Sequence, residues 1–181
     1  MIGCSHIEPY PFEKRQVAEY QKGVCPNIEG KYYELGEGKN NSNCIMSGDP
    51  NDNSCSFSRL LFEDRIETEK TVYLHINQSE KDKLIITIEN EEGILHQVKL
   101  DKNNGEYTCK QEGLVIPQIY FHIDGTGVAS GTEKYILNPL NENYLLVKRV
   151  SKFSALGFFL FPFSGTDESW FRWARVNNEN P

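Results

Sequence analysis

Apolar residues recur at every second position through most of this chain. Thr71 to Asn77 sets Val72, Leu74 and Ile76 against Thr71, Tyr73 and His75, the pattern of a strand with one buried face. The same signal predicts strands over Ile28 to Leu35, Leu84 to Glu89, Ile94 to Leu100, Glu106 to Lys110, Leu114 to Ile123, Gly127 to Leu137, Tyr144 to Val150, Ala155 to Phe163 and Trp170 to Val176. The separators are turn formers: Glu91-Glu92-Gly93, Asn103-Asn104-Gly105, Asp124-Gly125, Asn138-Pro139, Asn141-Glu142-Asn143 and Ser164-Gly165. Phe57, Leu60, Leu61 and Asp64 are spaced differently and predict one short helix. Lys39 to Ser54 is a polar loop.

Short strands joined by tight polar turns predict an all-β domain, an antiparallel meander of about eight to ten strands. Such a meander must hide its edges, so a barrel-like closure is expected, with a two-sheet sandwich as the alternative. Residues 1–24 read differently. Pro9 and Pro11 interrupt regular structure, and Glu13 to Lys22 suits a short helix. They are expected to form an anchor and tether ahead of a domain spanning 25–181.

Composition narrows the function. The 181 residues carry a formal net charge of −7, so no basic stripe is available to displace phosphate counterions, and nucleic acid is not an expected partner. The longest apolar run, Phe153 to Phe163, falls short of the roughly 20 residues of a membrane-spanning helix. Cys25, Cys44, Cys55 and Cys109 lack the spacing of a zinc site. They suit disulfides in an oxidising compartment. Of the three possible pairings, Cys44–Cys55 with Cys25–Cys109 is favoured: the first closes the polar loop, and the second ties the start of the domain to mid-chain.

Catalytic patterns fail on inspection. No G-x-S-x-G or H-E-x-x-H occurs. His75, His96 and His122 fall on three separate predicted strands, with His75 on the polar side of its own. Asp49-x-Asn51-x-Asn53 starts like a calcium loop but has Ser54 and Leu60 where Gly and Glu are needed. Glu89, Glu91 and Glu92 crowd an expected hairpin tip, without the opposed placement that glycoside hydrolysis requires. The chain is therefore read as a non-enzyme with no cofactor and no metal. The most specific feature is aromatic: Phe158, Phe159, Phe161, Phe163, Trp170, Phe171 and Trp173 fall on two neighbouring predicted strands. They are a candidate apolar patch if one face is uncovered, and core if it is not.

Three segments carry resemblances. Ile2-Gly3-Cys4 resembles the cleavage junction of bacterial lipoproteins, which implies acylation at Cys4 and a membrane anchor. Cys25-Pro26-Asn27-Ile28-Glu29-Gly30-Lys31-Tyr32, with Trp170-Phe171-Arg172-Trp173 near the end, resembles small Gram-negative lipoproteins with a β-rich domain. Gly30-x-Tyr32, Asn143-Tyr144 and Arg172 or Arg175 are similar to positions of lipocalins, where an arginine from the last strand lies over the barrel floor. The resemblances imply a lipid-anchored cell-envelope protein, outer-membrane attached and disulfide-bonded, with a structural or protein-interaction role. A lipocalin-like carrier holding a small hydrophobic ligand in its barrel is the alternative.

Overall fold

A computed structural model describes residues 2–7, 19–21, 23–38, 54–62, 71–124, 127–157 and 162–176. In chain order the strands are β1 (Ile2–Ile7), β2 (Gly30–Tyr33), β3 (Leu35–Gly38), β4 (Ser54–Ser56), β5 (Tyr73–Asn77), β6 (Lys83–Asn90), β7 (Gly93–Asp101), β8 (Thr108–Lys110), β9 (Gly113–Asp124), β10 (Gly127–Asn141), β11 (Tyr144–Gly157) and β12 (Pro162–Ala174). One helix, α1 (Phe57–Phe62), follows β4. The larger sheet runs β4-β3-β12-β11-β10-β9-β8, and the smaller runs β2-β5-β6-β7. Both are antiparallel, apart from β1, which lies parallel to β12 from Phe163 to Glu168.

The fold is all-β, as the alternation predicts, but it is not a closed barrel. The sandwich alternative fits instead. The reason is local: the chain changes sheets four times, at β1–β2, β2–β3, β4–β5 and β7–β8, instead of continuing its hairpins. After β7, Asp101 accepts a hydrogen bond from the Asn103 N–H at 2.8 Å and opens a 3-10 turn over Lys102–Asn104. The chain then joins β8 in the other sheet. Another change is at Glu34, between β2 and β3. This carboxylate is buried and accepts from the Ser56 hydroxyl at 2.5 Å, the Ser58 N–H at 3.0 Å and the Ser58 hydroxyl at 2.8 Å. Its carbonyl receives the Trp173 indole N–H at 3.0 Å and the Phe57 N–H at 3.1 Å. All three donors to the carboxylate converge on one oxygen, Oε1, and a buried carboxylate is tolerable only with such partners. Two residues on, Gly36 leaves room for the indole: a Cβ there would stand 2.6 Å from Trp173 and from the Arg172 carbonyl.

The core lies between the sheets. Tyr32, Leu74, Ile76, Leu84, Ile86 and Ile88 of the smaller sheet meet Leu114, Leu137, Leu145, Val147, Phe171 and Trp173 of the larger. Phe57 of α1 packs edge-on against Trp173, with ring centres 5.1 Å apart. The α1 residues Phe57, Leu60 and Leu61 are buried, so the helix plugs the gap between layers. The Gln118 amide of β9 bonds the Leu61 carbonyl, and the Phe62 ring lies 5.7 Å from that of His96 on β7.

Two expectations change. Tyr144 to Val150 and Ala155 to Phe163 are not separate strands; β11 runs unbroken to Gly157. Its ladders with β10 and β12 continue through Ser151, Lys152, Phe153 and Ser154, so neighbouring backbone supplies what side-chain alternation does not. Within the presumed tether, residues 2–7 are strand β1, filling the edge of β12 beyond its contact with β3. The helix expected over Glu13 to Lys22 lies mostly outside the described residues.

Candidate functional site

Cys25 and Cys109 form a disulfide, with Cα atoms 4.9 Å apart. The bond clips the chain ahead of β2 to β8. The same segment also runs along β8, with the Tyr20 N–H donating to the Gln111 carbonyl at 2.9 Å and the Gly23 N–H to that of Cys109 at 3.2 Å. Cys55 is also disulfide-bonded, while Cys44 lies outside the described residues. Cys4 stands in β1 opposite Gly165.

The aromatic candidates divide. Phe171 and Trp173 are fully buried in the main core, with ring centres 5.9 Å apart. Trp170 points to the opposite face and is half-buried, with the Lys148 ammonium 5.1 Å from its ring centre. Phe163 pairs by backbone with Ala155 and Ile2. Phe158, Phe159 and Phe161 lie outside the described residues. At least Phe171 and Trp173 therefore follow the core reading, packed with the other buried side chains between the sheets.

The histidines do not converge. His75 pairs with Thr87, whereas His96 pairs with Ile88, so the two rings lie on opposite faces of the smaller sheet. Among the described residues no group of three metal-ligating side chains exists. Glu89 is bonded to Lys31 at 2.9 Å, and Glu91 and Glu92 are exposed at the hairpin tip. Arg175 packs over the Tyr32 ring at 5.4 Å and bonds the Glu29 carbonyl. A Cβ at position 30 would come 2.6 Å from that guanidinium, which would have to shift to admit it. Burial raises the Tyr32 hydroxyl above its ordinary pKa, and the charge of Arg175 opposes this. Arg172 instead reaches outward to Glu37 at 2.6 Å.

The feature that sequence reading missed is the outer face of the larger sheet. Val115, Ile136 and Val150 form a second small apolar cluster there, apart from the main core. Cross-strand pairing places Val115 beside Ile136, Pro117 beside Lys134, Ile119 beside Thr132, and Lys134 beside Val150. All of these except Ile136 line an open depression of about 490 Å³. A second depression of about 410 Å³ shares Ile119, Thr132 and Lys152 and extends to Ser130 and Ser154. The two make one groove across β9, β10 and β11. Its floor is apolar and its rim carries Lys110, Lys134 and Lys152. Lys134 is paired with Glu112 at 3.0 Å, while Lys110 and Lys152 have no ion pair among the described residues. Ile119 is 86% exposed, the most exposed large apolar side chain described. The signal was present in sequence, since Val115, Pro117 and Ile119 share one parity of β9. That parity is also one half of an ordinary two-faced apolar strand.

On the inner face of the same strands, beyond the core, Arg149 is buried between Glu133 and Asp167, each 3.7 Å away. The Tyr135 hydroxyl donates to Glu133 at 2.5 Å, and the Ser169 hydroxyl to Asp167 at 3.4 Å. At these distances the cation and its two anions interact by charge and not by hydrogen bonds, and the buried Arg149 Nε has no hydrogen-bond partner among the described residues.

No protein-family model, curated protein or solved structure matches this chain.

Proposed function

We propose that this chain is a non-enzymatic binding module of the cell envelope, anchored by acyl chains at Cys4, that engages a protein partner through the groove on the outer face of β9, β10 and β11. The observation that carries the binding role is the groove itself, with its apolar floor, lysine rim and the 86% exposed Ile119. An exposed apolar surface rimmed by charge is the usual form of a protein contact site. The Cys25–Cys109 bond supports an oxidising compartment. The apolar side chains clustered between the sheets among the described residues favour an interaction protein over a carrier. The anchor rests on Ile2-Gly3-Cys4, and more than one acyl chain would be needed for stable attachment.

A photo-crosslinking residue placed at Ile119 in the cell that makes the protein tests the binding role. A discrete adduct is expected there, absent when the probe sits at Gln97 on the outer face of the smaller sheet, and weakened by Lys152→Glu. Equal labelling at both positions would remove the assignment. For the anchor, Cys4→Ser is expected to shift the protein from the membrane to the soluble fraction.

A further inference from the structure

The groove ends against a strand edge, and that edge suggests what the partner offers. β8 pairs with β9 only from Gly113 to Val115, while β9 continues to Asp124. From Ile116 to Asp124 the described residues pair β9 on its β10 side only. Backbone donors and acceptors along an uncovered edge are a template for another strand. Pro117 lies at the start of this stretch, and proline within sheets is confined to such edges. The groove adjoins the edge through Pro117, Gln118 and Ile119, and Thr108 and Lys110 of β8 close its near end.

Resting on the binding role proposed above, we infer that the partner contributes an extended segment, added as a strand along β9 beyond the end of β8, whose groove-facing positions (every second residue) carry both apolar and acidic side chains. The backbone edge favours a peptide, because an acyl chain or other amphiphile could fill the groove but would leave those amide groups unpaired. The lysines set the charge: in a chain of net charge −7, this groove is rimmed by Lys110, Lys134 and Lys152, so acidic side chains are attracted and basic ones repelled. Floor and lysines share the outer face of the sheet, and successive side chains of an added strand point to opposite faces, so apolar and acidic residues must take turns at every second position.

The test is fluorescence anisotropy with the full chain and three labelled twelve-residue probes: Thr-Val-Thr-Glu repeats (Val-Glu), Thr-Val-Thr-Lys repeats (Val-Lys), and Val-Glu with every second amide N-methylated. Saturable binding of the first alone is expected. The variant Lys110→Glu/Lys152→Glu should weaken it by about tenfold, since surface charge pairs contribute fractions of a kcal/mol each and reversal adds repulsion. An unchanged thermal midpoint would show that this variant is folded. Binding of the N-methylated probe at equal strength would overturn strand addition. Binding of Val-Lys at equal strength, or indifference to the lysine reversal, would overturn the acidic chemistry. No Val-Glu binding together with an Ile119 adduct would sink this inference and leave the binding role standing; failure of both would remove the two together.

Discussion

The long strands β9–β12 hold two unlike regions in one continuous ladder. Toward Leu145 and Trp173 the inner face is apolar and covered by the smaller sheet; toward Arg149 and Asp167 it is polar. Backbone pairing is the same in both, running unbroken in β11 from Tyr144 to Leu156. A β ladder therefore does not require a conventional core beneath it once its neighbours are long enough. The contrast also separates how each region is held: by burial of large side chains at one end, by hydrogen bonds and ion pairs at the other.

The largest effect should come from the apolar region. Trp173→Ala removes a fully buried indole, its edge contact with Phe57 and its hydrogen bond to Glu34. A loss of about 4 kcal/mol is expected in urea unfolding; a loss under about 1 kcal/mol would mean the core is not centred there. Glu34→Gln should follow at about 2 kcal/mol, because an amide cannot accept all three donors from Ser56 and Ser58 through one charged oxygen. Arg149→Met probes the polar region, with about 1–2 kcal/mol expected, discounted because Asp167 is partly exposed. Adding Glu133→Gln to that variant should restore part of the loss; no recovery would argue against the ion cluster as what holds this region.

The smallest effect concerns pH. The Asp101 carboxyl is held below its ordinary range, first by the hydrogen bond from Lys83 and then by the Asn103 backbone. A depressed folded pKa gives a contribution that is complete above the unfolded value and is lost as pH falls through the folded one. Asp101→Asn should thus lower the unfolding midpoint slightly at neutral pH and flatten its fall below about pH 4, so that variant and parent converge in acid.

How much was legible follows the same division. The β6–β7 hairpin was readable because alternation on both sides flanks Glu91-Glu92-Gly93, and Asn90 does pair with Gly93. Phe171 and Trp173 share one parity of their strand, but sequence alone left them open between an exposed patch and the core. The middle of β11 was not readable, because Ser151 to Ser154 owes its strand conformation to β10 and β12. Glu34 was hidden for another reason: inside the predicted strand Ile28 to Leu35 it looks like any outward carboxylate, and the serines that satisfy it lie 22 and 24 residues away. Barrel and sandwich share the same strands, so the choice rests on where the chain changes layers. The groove was invisible as a unit because its lysines and threonines are residues expected on any solvated face.

The Cys25–Cys109 bond has a mechanical consequence. The residues between its two halves, separated by 84 positions in sequence, include all of the smaller sheet and α1. A pull applied between the chain's two termini crosses the sulfur bridge and bypasses them. Roughly 290 Å of extended contour, at about 3.4 Å per residue, stays out of the load path. Under tension this half of the sandwich would be shielded, and the strain would fall on β9–β12 and on the bond itself.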